Sequence, residues 1–102
     1  MVETQAFNKF TAIYHKHFEV EIEYNEEFCV LHFARFDKLT PSVYKLCQSY
    51  IEKLSKFLRV MEFPSILIVV KKEDEKLNQF VQRFKFDIVA EHQGHNIHRR
   101  DL

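Results

Sequence analysis

The chain has 102 residues, with 15 basic and 15 acidic side chains and an isoelectric point near 7.0, so no net charge pulls it toward nucleic acid or an anionic membrane. No apolar run approaches the roughly 18 residues of a bilayer span, and residues 1–5 do not form the basic-then-apolar opening of a signal peptide. One domain, 1–102, is the expectation from length, and the cytoplasm is the expected compartment, because Cys29 and Cys47 lie in apolar patterns without CxxC spacing and read as reduced core thiols.

Ala6, Phe7, Phe10, Ile13 and Tyr14 recur at helical spacing, which predicts a helix over 5–16. Residues 17–24 alternate Phe18, Val20, Ile22 and Tyr24 with His17, Glu19, Glu21 and Glu23, a half-buried strand with an acidic outer face. After an Asn25-Glu26-Glu27 turn, residues 28–36 are apolar on both faces and read as a more central strand. Thr40-Pro41 is a helix start, a capping hydroxyl followed by proline at the first helical position. The stripe Val43, Tyr44, Leu46, Cys47, Tyr50, Ile51, Leu54, Phe57 and Leu58 then defines a long helix whose Tyr50 ring should pack on the sheet.

Phe63-Pro64-Ser65 ends the next connection, and Ile66 to Val70 is a continuous apolar run suited to a strand covered on both faces. Asp74 can cap a second helix with the stripe Leu77, Phe80, Val81 and Phe84. Phe86 to Ala90 is another strand, and Gln93-Gly94 offers a hairpin turn into a short last strand near Ile97. The order is α-β-β-α-β-α-β-(β), an α/β (α+β) fold with a mixed, largely antiparallel sheet and helices packed on it.

That order, with the run Phe84-Lys85-Phe86-Asp87-Ile88-Val89 following a capped helix, resembles the C-terminal half of the GNAT family of N-acetyltransferases. The topological resemblance covers most of residues 17–99, and the motif-level match is confined to residues 66–90. It implies an acetyl-coenzyme A site at the start of the long helix, with Phe36, Leu39, Thr40 and Ser42 beside the cofactor. The departures are specific. Residues 35–42 contain no glycine, Pro41 removes one N–H donor, and Thr40 occupies another. The tyrosine that serves the family as general acid aligns with Val81, which has no proton to give, and the family's glycine before the aromatic residue is Lys85. Lys85 costs about 1 kcal/mol or more if its backbone is left-handed.

Together these departures favour a shortened, non-catalytic acetyltransferase-like domain, similar to small phage-encoded ones, without a cofactor. It would act by binding another protein or a second copy of itself. The alternative is an acetyl-coenzyme A-dependent N-acetyltransferase with an atypical cofactor site. A cleft splayed open between strands 28–36 and 66–70 would favour the enzyme; a cleft filled by side chains would favour the binding module.

The remaining chemistry is sparse. His32, on a central strand, is the best general-base candidate, and a satisfied core or cleft histidine is its plainer reading. His92, His95 and His98 are spaced three apart, but 92 and 95 have opposite strand parity, so exposed hairpin residues compete with a metal site. Glu19, Glu21, Glu23, Glu26 and Glu27 make an acidic ribbon that fits an edge strand protected by charge or a basic partner, and Lys38, His98, Arg99 and Arg100 could form a small basic area. Eleven Phe and four Tyr are many for so small a core. Some of Phe7, Phe10, Phe18, Phe28, Phe33 and Phe36 are therefore expected at the surface as a contact patch. Aromatics do not interleave with basic residues, so nucleic acid is not an expected partner.

Overall fold

The structure, a computed structural model, describes residues 8–37 and 40–102. Eight elements follow in the order β1 (Asn8–Tyr14), β2 (Phe18–Tyr24), β3 (Cys29–Phe36), α1 (Pro41–Val60), β4 (Ser65–Lys71), α2 (Glu75–Gln82), β5 (Asp87–His92) and β6 (His95–Asp101). The strands form one mixed six-stranded sheet in the order β1-β2-β3-β4-β6-β5. Among the described residues only β3 and β4 pair in parallel, and α1 is the long crossover such a pair requires. No helix among the described residues is long and apolar enough to cross a membrane.

The first element corrects the sequence reading: residues 8–14 of the expected helix over 5–16 are strand β1, 15 and 16 belong to the turn after it, and residues 5–7 lie outside the described residues. The reason is a β-bulge. Phe10 pairs with Ile22 and Ile13 with Val20, and Ala12 is the extra residue between them. The bulge puts Phe10 and Ile13, three apart, on one face, so the strand imitates helical spacing. The acidic strand β2 is accordingly not an edge; β1 covers it. The last strand is also not short: β6 has seven residues, and it lies between β4 and β5.

Both helices lie against one face of the sheet. On it Phe18, Val20, Ile22, Cys29, Leu31, Ile66, Ile68 and Val70 are buried. They meet Val43, Cys47, Ile51 and Leu58 of α1 and Phe80, Val81 and Phe84 of α2 and its end. Tyr50 sets its ring edge-on to Phe18 at 6.2 Å, as its place in the stripe requires. Thr40 Oγ1 accepts from the Val43 N–H at 3.2 Å and Asp74 Oδ1 from the Leu77 N–H at 3.2 Å, so both helices begin at the capping residues that the sequence shows. Gln93 and Gly94 both have positive φ, 50° and 77°, and make the β5–β6 turn. Arg100 reaches from β6 to Glu52 of α1 with two bonds, 2.8 and 3.1 Å, and donates a third to the Phe84 carbonyl, tying helix to sheet.

Candidate functional site

The region of interest lies where β3 and β4 part. Their ladder consists of two pairs, Val30–Leu67 and Leu31–Ile68. Beyond them β3 pairs only with β2, and Ala34 is a bulge between Phe33, opposite Val20, and Arg35, opposite Glu19. A bulge bends its strand, so the end of β3 swings away and leaves a wedge between two parallel strands at the start of α1. That wedge is closed by rings. Phe80 of α2 lies 6.0 Å from Phe33, 4.7 Å from Phe36, 5.7 Å from Tyr44 and 4.7 Å from Phe84, while Tyr44 stacks on Phe84 at 5.3 Å. Five aromatic side chains from four segments meet there in tilted, edge-on and stacked geometries.

Of the four residues expected beside a cofactor, the three described ones divide between two places. Phe36 turns into the ring cluster, and Leu39 lies outside the described residues. Thr40 and Ser42 stay together, their hydroxyl oxygens 3.3 Å apart. They line a shallow depression of about 450 Å³ with His15, His17, Val43 and Leu46. Of the first three helical positions, Pro41 has no N–H and Val43 gives its own to Thr40, which leaves Ser42 as the one donor for a ligand. Val81 is fully buried in the core. Lys85 does adopt the left-handed region, φ 68°, between the buried Phe84 and Phe86, so the cost of about 1 kcal/mol applies.

His32 is not in this wedge. It sits on the helix-free face of the sheet, half exposed, with Nε2 3.0 Å from Glu23 Oε1. The C-terminal histidines separate. His92 and His95 face each other across the β5–β6 hairpin, and His98 is buried on the opposite face beneath α2. No group of three metal-ligating side chains occurs among the described residues. The described members of the small basic area separate: His98 is inside, Arg100 turns inward to Glu52, and Arg99 faces the other side beside Asp101; Lys38 lies outside the described residues. Cys29 and Cys47 are buried free thiols, and burial pushes them up to about 11 and about 12, so neither is a nucleophile at neutral pH.

Sequence reasoning missed a polar network. Asn78 Oδ1 accepts from the His98 ring at 2.8 Å and from Asn96 Nδ2 at 3.1 Å, while its Nδ2 donates to the carbonyls of Lys71 and Asp74 at 3.0 and 2.8 Å. His98 therefore carries its proton on Nε2, and its buried Nδ1 has no partner among the described residues. Burial holds the His98 ring below the ordinary histidine range. A folded-state value below the unfolded one means that the unfolded chain binds the extra proton. Stability is therefore full above the unfolded value, near 6.5, and is lost as pH falls through the folded one. Chemical denaturation at pH 7.5 and pH 5 should show this loss, and His98→Gln should flatten it. The Arg100 guanidinium holds Glu52 below the usual carboxylate range, so that pair weakens only in stronger acid.

Among the exposed apolar side chains, two groups lie close to the ends of α1 and β2. Phe57, Val60 and Met61, at 56%, 80% and 57% exposure, share the outer face at the end of α1. Phe10 and Phe28 are each 47% exposed near the β2–β3 turn, which supplies the expected surface rings there, whereas Phe18 is buried and Phe33 and Phe36 are half-buried. Beside them Tyr24, Phe63 and Met61 wall a hollow of about 580 Å³ rimmed by Glu26, Glu27 and Glu62. No family model, no curated protein and no solved structure matches this chain.

Proposed function

We propose that this chain is a shortened, acetyltransferase-like domain that has given up catalysis and works by binding protein, either a partner or a second copy of itself. The observation that carries the reading is the ring cluster: Phe33, Phe36, Tyr44, Phe80 and Phe84 pack on one another beside the point where the β3–β4 ladder ends, which we read as closing the way in for an acyl-coenzyme A. Three further features support it. The start of α1 is glycine-free and internally capped, Val81 is buried where a proton donor would stand, and His32 is on the other side of the sheet. The architecture supports the family resemblance: one parallel pair, β3 and β4, bridged by the long helix, with the final strand inserted beside β4. The exposed rings and aliphatic side chains, Phe57, Val60 and Met61 among them, support protein contact as the activity.

Calorimetric titration with acetyl-coenzyme A tests this reading. No saturable heat is expected up to millimolar ligand. Micromolar binding would overturn the non-catalytic reading in favour of an N-acetyltransferase with an atypical cofactor site.

A further inference from the structure

The helix-free face of the sheet carries one transverse row of charges that matches its own reverse. One transverse row can be followed through all six strands by register: Lys9, Glu23, Val30, Leu67, Arg99, Asp87. Directly paired residues project from the same side of a sheet, so the row reads plus, minus, apolar, apolar, plus, minus on one face. A two-fold axis parallel to the strands and passing between β3 and β4 lays this row on its own reversal. Lys9 then meets Asp87 of the second copy, Glu23 meets Arg99, and Val30 meets Leu67. In the neighbouring row of the same face Val69, 37% exposed, and Ile97 are apolar, and the axis sets them opposite His32 and Glu21 of the second copy.

We infer that this face is the contact surface for a second copy of the chain, two sheets stacked face to face about that axis. The inference deepens the protein-binding reading above and rests on it. Both helices lie on the opposite face, so nothing among the described residues covers this one. The side chains at its charged positions remain accessible: Glu23 is 29% and Arg99 49% exposed. Their present partners are neighbours on the same face, His32 at 3.0 Å and Asp101 at 3.2 Å. Surface pairs of that kind contribute little, so exchanging them for pairs across the interface costs little. Six strands at about 4.8 Å spacing and about 20 Å of strand length give roughly 500 Å² per copy. The total of about 1,000 Å² falls just below the standard range of specific interfaces, in the class of weak, transient contacts, so a reversible dimer with dissociation in the micromolar range is the expectation. Stacked sheets cross at about −30°, so the central pairs, Glu23 with Arg99 and Val30 with Leu67, align best.

Sedimentation velocity from about 1 to about 500 μM brackets that range. The wild-type chain should pass from monomer to dimer and dimerise more tightly at low salt. Glu23→Arg alone and Arg99→Glu alone should each weaken dimerisation tenfold or more, because each sets like charges opposite one another twice in the dimer. Mixed together, the two variants should form a heterodimer, since both charge pairs are then restored, and the double variant should dimerise like the wild type. Val69→Arg, at an already exposed site, gives a second readout independent of Glu23 and should abolish the dimer in a chain with native circular dichroism. A wild type that stays monomeric throughout, variants that dimerise unchanged, or folded single variants whose mixture stays monomeric would each overturn the proposal. Those outcomes leave the closed wedge untouched, whereas binding of acetyl-coenzyme A would remove the non-catalytic reading whatever the oligomeric state.

Discussion

Phe80→Ala is expected to cost about 3–5 kcal/mol of folding stability, measured by chemical denaturation. The Phe80 ring is buried and touches Phe33, Phe36, Tyr44 and Phe84, so its removal empties the centre of the wedge. The bulge at Ala34 holds the end of β3 away from β4, so the strands cannot close over the void by zipping up their ladder. The cavity term therefore adds to the lost burial. By contrast Phe57→Ala, on the exposed side of α1, should change stability by no more than about 0.5 kcal/mol. Equal losses at the two positions would mean that the rings do not fill the wedge.

Asn78→Ala should cost about 2–4 kcal/mol by the same measurement. One amide satisfies His98, Asn96 and two backbone carbonyls, and alanine would remove the one hydrogen bond that the fully buried His98 ring makes. The carbonyl of Asp74 retains the Asn78 N–H as a donor, which limits the loss at that end. Asn78→Asp should be destabilising as well, since it cannot donate to the two carbonyls, and its carboxylate should raise the His98 ring's affinity for a proton. Opposite pH profiles for the two variants would distinguish a polar network from simple packing. Identical profiles would contradict it.

Those two clusters mark where local pattern and tertiary structure part company. The apolar stripe of α1, the run from Ile66 to Val70, the caps at Thr40 and Asp74 and the Gln93-Gly94 turn all act within a few residues, and each lies where its chemistry places it. β1 was illegible because an extra residue at Ala12 shifts a strand's alternation to a three-residue spacing. β6 was misjudged because His98 and Arg100 look like surface residues. Their partners, Asn78 and Glu52, are 20 and 48 residues away, and no periodicity reports a buried polar side chain satisfied at such a distance. The wedge has the same character. Phe33, Phe36 and Phe80 are ordinary apolar positions on their own elements, and only the bulge in β3 and the docking of α2 make them one cluster.

The most direct test of the closed wedge is hydrogen exchange at residues 30–36 and 40–44 with and without millimolar acetyl-coenzyme A. Exchange that is unchanged by the ligand is the predicted result, because Phe80 and its neighbours already occupy the space and Ser42 alone has a helix donor free. Ligand-dependent protection centred on the Ser42 and Val43 amides, saturating at micromolar concentration, would contradict it.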